Sequence, residues 1–298
     1  MNVQINKLAK RLAIFLTGLI VVLLIVFALI YVISNQRMNK IYAIPEHTVA
    51  LPTDSASLTY GKRLSQIRGC VDCHGENLAG KIMIDNPIVA RLYASNLTPG
   101  AGGISKEFKT LDWERAIRHG VRPDGKPLLF MPAHEMFPLS DDDLGALIAY
   151  LKSLPPVDNP LPTNSIGPLG RALYLMDKIP LTPAELINHS AQHPSTPVPG
   201  ITVQYGKYLA IGCTGCHGKD FTGGPIPGAP PEWPKAANLT PAGNLKNWSE
   251  ADFIKSARTG IKPDGKPFDP VMPYQPLKAM TNEELKAVWL FLTSLPAQ

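Results

Sequence analysis

All four cysteines of the 298-residue chain fall in two copies of one pattern, Cys70-Val71-Asp72-Cys73-His74 and Cys213-Thr214-Gly215-Cys216-His217. Chance would place two such patterns in about one chain in a million of this composition. An exported chain can spend four cysteines on two disulfides, but cysteines separated by two residues, with a histidine adjoining, suit a different chemistry. Two thiols so spaced on a turn of helix match the separation of the two vinyl groups of haem, and the adjoining histidine then aims its imidazole at the iron. Zinc would need a second ligand pair at each site, and none stands at suitable spacing. Thioredoxin-like redox chemistry would need a βαβ setting and gives the histidine no role. The pattern therefore predicts two covalently attached haem c groups, bound through Cys70, Cys73, Cys213 and Cys216, with His74 and His217 as iron ligands.

The rest of the chain repeats as well. Phe108 to Gly120 aligns without a gap with Trp248 to Gly260, Pro123-Asp-Gly-Lys-Pro127 recurs as Pro263-Asp-Gly-Lys-Pro267, and Asn96-Leu-Thr-Pro99 recurs as Asn238-Leu-Thr-Pro241. The offsets of 140, 142 and 143 residues differ only by small loop insertions, so the chain holds two copies of one unit. Residues 1–40 read as a cytoplasmic N-terminus and anchor, 41–155 as the first domain, 156–199 as a Pro-rich linker and 200–298 as the second domain. Each copy ends in a helix that starts on a capping pattern, Ser140-Asp-Asp-Asp143 or Thr281-Asn-Glu-Glu284. One apolar stripe follows, Leu144, Leu147, Ile148 and Leu151, matched by Leu285, Val288, Trp289 and Leu292. No period-2 run stands out, so each copy is expected to be a small all-α unit wrapped around its haem. The copies are expected to be separate units, with a short helix near Gly170 to Lys178 packing the linker along them.

A haem held by one histidine needs a sixth ligand or keeps an open position. Met131-Pro132 and Met272-Pro273 align, each 13 residues before the first core leucine of the last helix, whereas His119 aligns with Thr259 and His134 with Gln275. Met131 and Met272 are thus the axial ligands common to both copies, and Met136, Met176 and Met280 are read as core filler. Asn96 and Asn238 either donate to a haem propionate or shape a turn. His47, His189 and His193 lie outside the repeated stretches, about residues 55–155 and 200–298, and read as exposed polar residues. Trp113, Phe253, Trp248 and Phe108 read as core.

From Leu12 to Ile33 runs an apolar stretch of 22 residues, about 33 Å of helix, enough for one bilayer core. A signal h-region is usually shorter, and no Ala-x-Ala site directly follows Ile33, which favours an uncleaved single-pass anchor. Lys7, Lys10 and Arg11 outnumber Arg37 and Lys40, which predicts the N-terminus in the cytoplasm, the anchor in the inner membrane and the haem domains on the periplasmic side. Five of the 29 basic residues precede residue 46 and no acidic residue does, which leaves 24 basic against 24 acidic side chains in the remainder. The net charge of +5 therefore belongs to the N-terminus, and nucleic-acid binding has no basic surface to rest on.

The two Cys-x-x-Cys-His motifs, the Asn-Leu-Thr-Pro turns, the Asp112-Trp-Glu-Arg-Ala-Ile-Arg-His-Gly120 stretch, and Met-Pro followed by Leu139-Ser-Asp-Asp-Asp-Leu144 together carry a resemblance. Over residues 55–298 the chain resembles the class I dihaem cytochromes c and is similar to the cytochrome subunits of membrane-bound bacterial alcohol and sugar dehydrogenases. The resemblance implies two tandem class I domains, His/Met ligation and electron relay. Those subunits generally carry three haems, whereas this chain has two motifs and an N-terminal anchor. The expected partners are redox proteins: a dehydrogenase, a quinol-oxidising complex, an oxidase or another cytochrome. The alternative is a dihaem redox enzyme of the peroxidase or thiosulfate dehydrogenase type, which would need one labile axial ligand.

Overall fold

A computed structural model describes residues 2–195 and 197–298. Helix α1 (Asn2–Met38) precedes two units built in the same order. In the first, α2 (Ser55–Ile67) leads into the one-turn α3 (Cys70–His74), strands β1 (Lys81–Asn86) and β2 (Ala90–Ala94), then α4 (Thr110–Glu114), which continues directly as a π-helix over Arg115–His119. Helices α5 (Ala133–Met136) and α6 (Asp141–Lys152) complete this unit. The connecting segment contributes β3 (Ser165–Ile166), α7 (Pro168–Leu175) and a 3₁₀ turn, Pro183–Leu186. The second unit comprises α8 (Val203–Leu209), a 3₁₀ turn (Ala210–Cys213), α9 (Thr214–His217), α10 (Glu250–Thr259), α11 (Gln275–Ala279) and α12 (Asn282–Thr293).

Both last helices start where the capping patterns predict. Ser140 accepts from the Asp143 amide and Thr281 from the Glu284 amide, and at Thr281 the Glu284 carboxylate closes the box on the Thr281 N–H. Their stripes bury Leu144, Leu147, Ile148 and Leu151 in one unit, and Leu285, Val288 and Leu292 in the other. Each last helix is crossed by the first helix of its unit at a glycine. A Cβ on Gly61 would overlap the Ala146 carbonyl oxygen, and one on Gly206 would overlap that of Ala287. Only hydrogen at these positions lets the backbones approach so closely.

Two features differ from expectation. The fold is mostly helical, but a three-stranded antiparallel sheet in order β1-β2-β3 joins the first unit to the connecting segment. Its hairpin turns at Asn86-Pro87, where Asn86 Oδ1 accepts from the Ile88 and Val89 amides, a side-chain turn that proline supports. Alternation is hidden in β1 because the register slips between Ile82 and Ile84, leaving Met83 as an extra residue. The units are also not separate, since one continuous apolar core runs through both. Across it the contacts are reciprocal. Tyr208 of α8 donates to Asp143 at the start of α6 (2.6 Å), and Arg63 of α2 pairs with Glu284 at the start of α12 (2.5 Å). Each of these acids also takes a hydroxyl from its own unit, Asp143 from Tyr60 and Glu284 from Tyr205. The acid at the third position of each last helix thus also ties the two units together.

Residues Ala9–Met38 of α1 form the one described helix long and apolar enough to cross a membrane, with a mean hydropathy of 3.2 and none of its 18-residue apolar window buried. Its C-terminal end is held by the connecting segment. Arg37 pairs with Glu185 and Asp177 and stacks on Tyr174, while Arg171 donates to the buried Ser34.

Candidate functional site

Each attachment pattern closes a single turn that ends on a glycine with positive φ, Gly75 at 82° and Gly218 at 77°. That conformation favours glycine and stops the helix immediately after the histidine. Both imidazoles are fixed in the same way: His74 Nδ1–H donates to the Ser95 carbonyl at 2.7 Å and His217 Nδ1–H to the Ala237 carbonyl at 2.8 Å. Bonding through Nδ1 places the lone pair on Nε2, the tautomer an iron ligand requires. Burial lowers the pKa of both rings, so they are neutral donors at pH 7.

None of the four cysteines is in a disulfide. Burial pushes Cys70 and Cys213 up to about 12 and raises Cys73 and Cys216. Catalytic Cys-x-x-Cys pairs depend on a depressed thiol pKa, so the environment here runs against disulfide exchange.

In the first unit these groups line an apolar cavity of about 300 Å³ that holds Cys70, Cys73, His74 and Met131. Its walls include Leu92, Leu97, Trp113, Ile117, Leu147 and Leu151. Two side chains on the lining carry buried donors with no acceptor among the described residues: Arg68, at Nε and Nη2, and Trp113, at Nε1. An apolar slot with neutral imidazole at one point and unpaired cationic and N–H donors at another fits a haem, whose propionates would accept from such groups. Neither donor was anticipated, and the repeat hides them because Ile211 and Phe253 occupy the corresponding positions. Met83, aimed by the β-bulge, and the buried Met136 also face this cavity, whereas His119 and His134 do not line it.

Met131 and Met272 occupy the same turn, with the Ala133 amide donating to Met131 O and the Tyr274 amide to Met272 O. Asn96 and Asn238 are equivalent as well. Asn96 Oδ1 accepts from the Thr98 amide and its Nδ2 donates to Val157 O, while Asn238 bonds to the Thr240 amide and to Gln298 O. Both asparagines thereby tie the loop after the attachment turn to the chain beyond the last helix, and Asn96 is not on the cavity lining. Met136 and Met280 are buried as expected, but Met176 is 62% exposed. His47, His189 and His193 are not exposed polar residues: they gather with His119 in one polar recess of the first unit.

The cytochrome c family model matches residues 58–155 and 203–296, one match per unit. The chain is similar to the cytochrome c subunit of the quinone-dependent alcohol dehydrogenase of Gluconacetobacter polyoxogenes, with 29% identity over 276 residues, covering 82% of this chain and 57% of that subunit. It is 25% identical to the fructose dehydrogenase cytochrome subunit of Gluconobacter japonicus, over 87% of this chain and 57% of the relative. It is 27% identical to the gluconate 2-dehydrogenase cytochrome c subunit of Pantoea cypripedii, over 84% and 62% respectively. The chain thus spans little more than half the length of these relatives.

Proposed function

Since the chain belongs to the cytochrome c family, we propose that it is a membrane-anchored electron carrier with two haem c groups, one in each unit, and His/Met ligation at both. The observation that carries this reading is the pair of equivalent constellations: attachment turn, histidine fixed through Nδ1, and methionine in a matching turn. When bound, the haems supply one-electron iron chemistry. The chain's own residues do the rest. Ser95 and Ala237 orient the two imidazoles, the apolar wall of the cavity excludes water, and Arg68 and Trp113 offer donors for propionates. Asn96 and Asn238 hold the loops that carry those carbonyls. Thioether sulfur favours ferrous iron, which raises the potential, and two strong ligands close the iron to substrates. The dihaem enzyme reading is not favoured, because the relatives are cytochrome subunits of dehydrogenases and no observation distinguishes a labile position in either unit.

The α1 helix serves as the anchor in this reading, in the inner membrane, with both units on the periplasmic side. Support comes from its exposed apolar surface and from the way Ser34, Arg37 and Met38 pack on the body, which makes the helix end part of the fold. Its partners would be a dehydrogenase of the kind its relatives serve, a quinol-oxidising complex, an oxidase or another cytochrome. The test is haem quantitation followed by ligand challenge. Two haems per chain and no rapid binding of carbon monoxide to the reduced protein, or of cyanide to the oxidised protein, are expected. Rapid binding at either haem would point to an open site and to an enzyme.

A further inference from the structure

The middle helix of the first unit is wound differently from its counterpart. Arg115–His119 is a π-helix, whereas the aligned residues of the second unit continue the α-helix Glu250–Thr259. In an α-helix, residues five apart point about 140° away from each other. The i→i+5 bonding of a π turn brings them onto one face, and such turns recur at functional sites. The pair aligned here is Glu114 and His119, with Nε2 of the ring 3.4 Å from Oε1 of the carboxylate. The second unit has Ile254 and Thr259 at these positions and needs no such turn.

A third donor comes from the connecting segment, which folds back so that His193 Nε2 lies 4.0 Å from the same oxygen. The three donor atoms all lie within 4.8 Å of one another. Ligands of a tetrahedral zinc ion, at about 2.0–2.1 Å from the metal, are roughly 3.4 Å apart. The Glu114 to His119 spacing already matches, and His193 needs a shift on the order of 1 Å. Glu114 is buried, with a side chain 1% exposed, and neither of its oxygens makes a hydrogen bond among the described residues. A carboxylate so placed is expensive unless a cation compensates it. The nearest cation, Arg118 Nη1, stands off at 3.7 Å, because Nη2 of the same guanidinium is committed to Leu139 O and Asp141. Glu114 and Asp141 share the one guanidinium of Arg118, and Glu46 lines the same recess. His119 Nδ1 lies 2.9 Å from His189 Nδ1; with the proton on His119 Nδ1, its Nε2 lone pair faces Glu114 and His189 gives the outer-sphere support typical of a metal-bound imidazole.

We propose that Glu114, His119 and His193 bind one divalent transition-metal ion of the zinc class, distinct from haem iron, and that this ion staples the connecting segment onto the first unit. The test uses the full-length, haem-loaded protein in detergent, stripped with a chelator and titrated with zinc sulfate. One firmly held zinc ion per two haems is expected, with X-ray absorption showing a nitrogen and oxygen shell at about 2.0–2.1 Å. Bound zinc should also protect the segment around His189 and His193 from protease. Glu114→Gln and His193→Ala should each weaken zinc binding at least about tenfold while the haem spectrum stays unchanged. If Glu114→Gln does not fold, His193→Ala, on the connecting segment, carries the comparison alone. His47→Ala removes a neighbouring imidazole that pairs with Asp141 and should bind zinc as the parent does. The proposal is overturned if the parent holds no more zinc than His193→Ala, or if His47→Ala loses as much as His193→Ala.

Discussion

Three methionines face the first cavity, and only one has a counterpart in the second unit. Met83 is turned inward by a β-bulge and Met136 belongs to the buried core, whereas Met131 sits in a turn that Met272 repeats. If sulfur from Met131 ligates the iron, Met131→Ala should admit carbon monoxide at one haem of the two, and Met83→Ala should admit none. Met131→His keeps six-coordination but replaces a soft ligand with a better donor to ferric iron, so the potential of that haem should fall while the other barely moves. A redox titration of the parent and the three variants decides this, and an unchanged Met131→Ala spectrum would remove the assignment. The matching Cys-x-x-Cys-His turns and the matching Met-Pro turns were legible because both are fixed local patterns, and duplication supplies a control. Arg68 and Trp113 were not legible: they occur in one copy only, and a buried arginine at the end of a helix shows its purpose only when its donors are seen to lack acceptors.

The first and last helices of each unit cross at a glycine, Gly61 in one and Gly206 in the other. A methyl group at Gly61 or Gly206 collides with a helix backbone, which cannot move aside as a flexible side chain can. Gly61→Ala and Gly206→Ala should each cost about 1–3 kcal/mol, read from denaturation of the loaded protein. Thr281→Ala, which removes a hydroxyl cap from α12, should cost about 1 kcal/mol and leave the crossing intact. A Gly206→Ala protein as stable as the parent would mean the two helices do not press together as described. Caps and stripes of α6 and α12 were readable because they are local patterns of period 3.6, but the crossings were not, since a single glycine in a helix carries no address for its partner. The small sheet escaped for a related reason. Its alternation is broken by the bulge at Met83, and its third strand, Ser165–Ile166, is two residues long and belongs to the linker.

The two units behave as one body because charged and hydroxyl groups near the attachment turns cross from one to the other, and a repeat read along the chain cannot show how its copies face each other. Glu135 is the most consequential of these groups. It projects from α5 of the first unit against Gly215 in the attachment turn of the second, where a Cβ would overlap its carboxylate. Its negative charge is felt by Cys73 on one side and by Cys213 and Cys216 on the other, so it lies between the two Cys-x-x-Cys-His turns. Burial pushes its carboxyl from 4.5 to about 7, with His134 Nε2 3.8 Å away as the nearest partner. The folded state therefore holds this proton more tightly than the unfolded chain does, and stability should decline as pH rises from about 4.5 to about 7. The same proton couples to redox state. The carboxylate that forms as pH rises through about 7 would lie near both attachment turns, and a bound haem in its oxidised form would carry one more positive charge. Ionisation favours the ferric state, so the midpoint potentials should fall as pH rises through 7 and level off on either side. Glu135→Gln, which keeps the shape and removes the titration, should hold the potentials flat across that window at values near those of the parent at low pH. Spectroelectrochemical titration between pH 5 and 9 measures both slopes, and an unaltered slope in Glu135→Gln would show that another group between the units carries the proton.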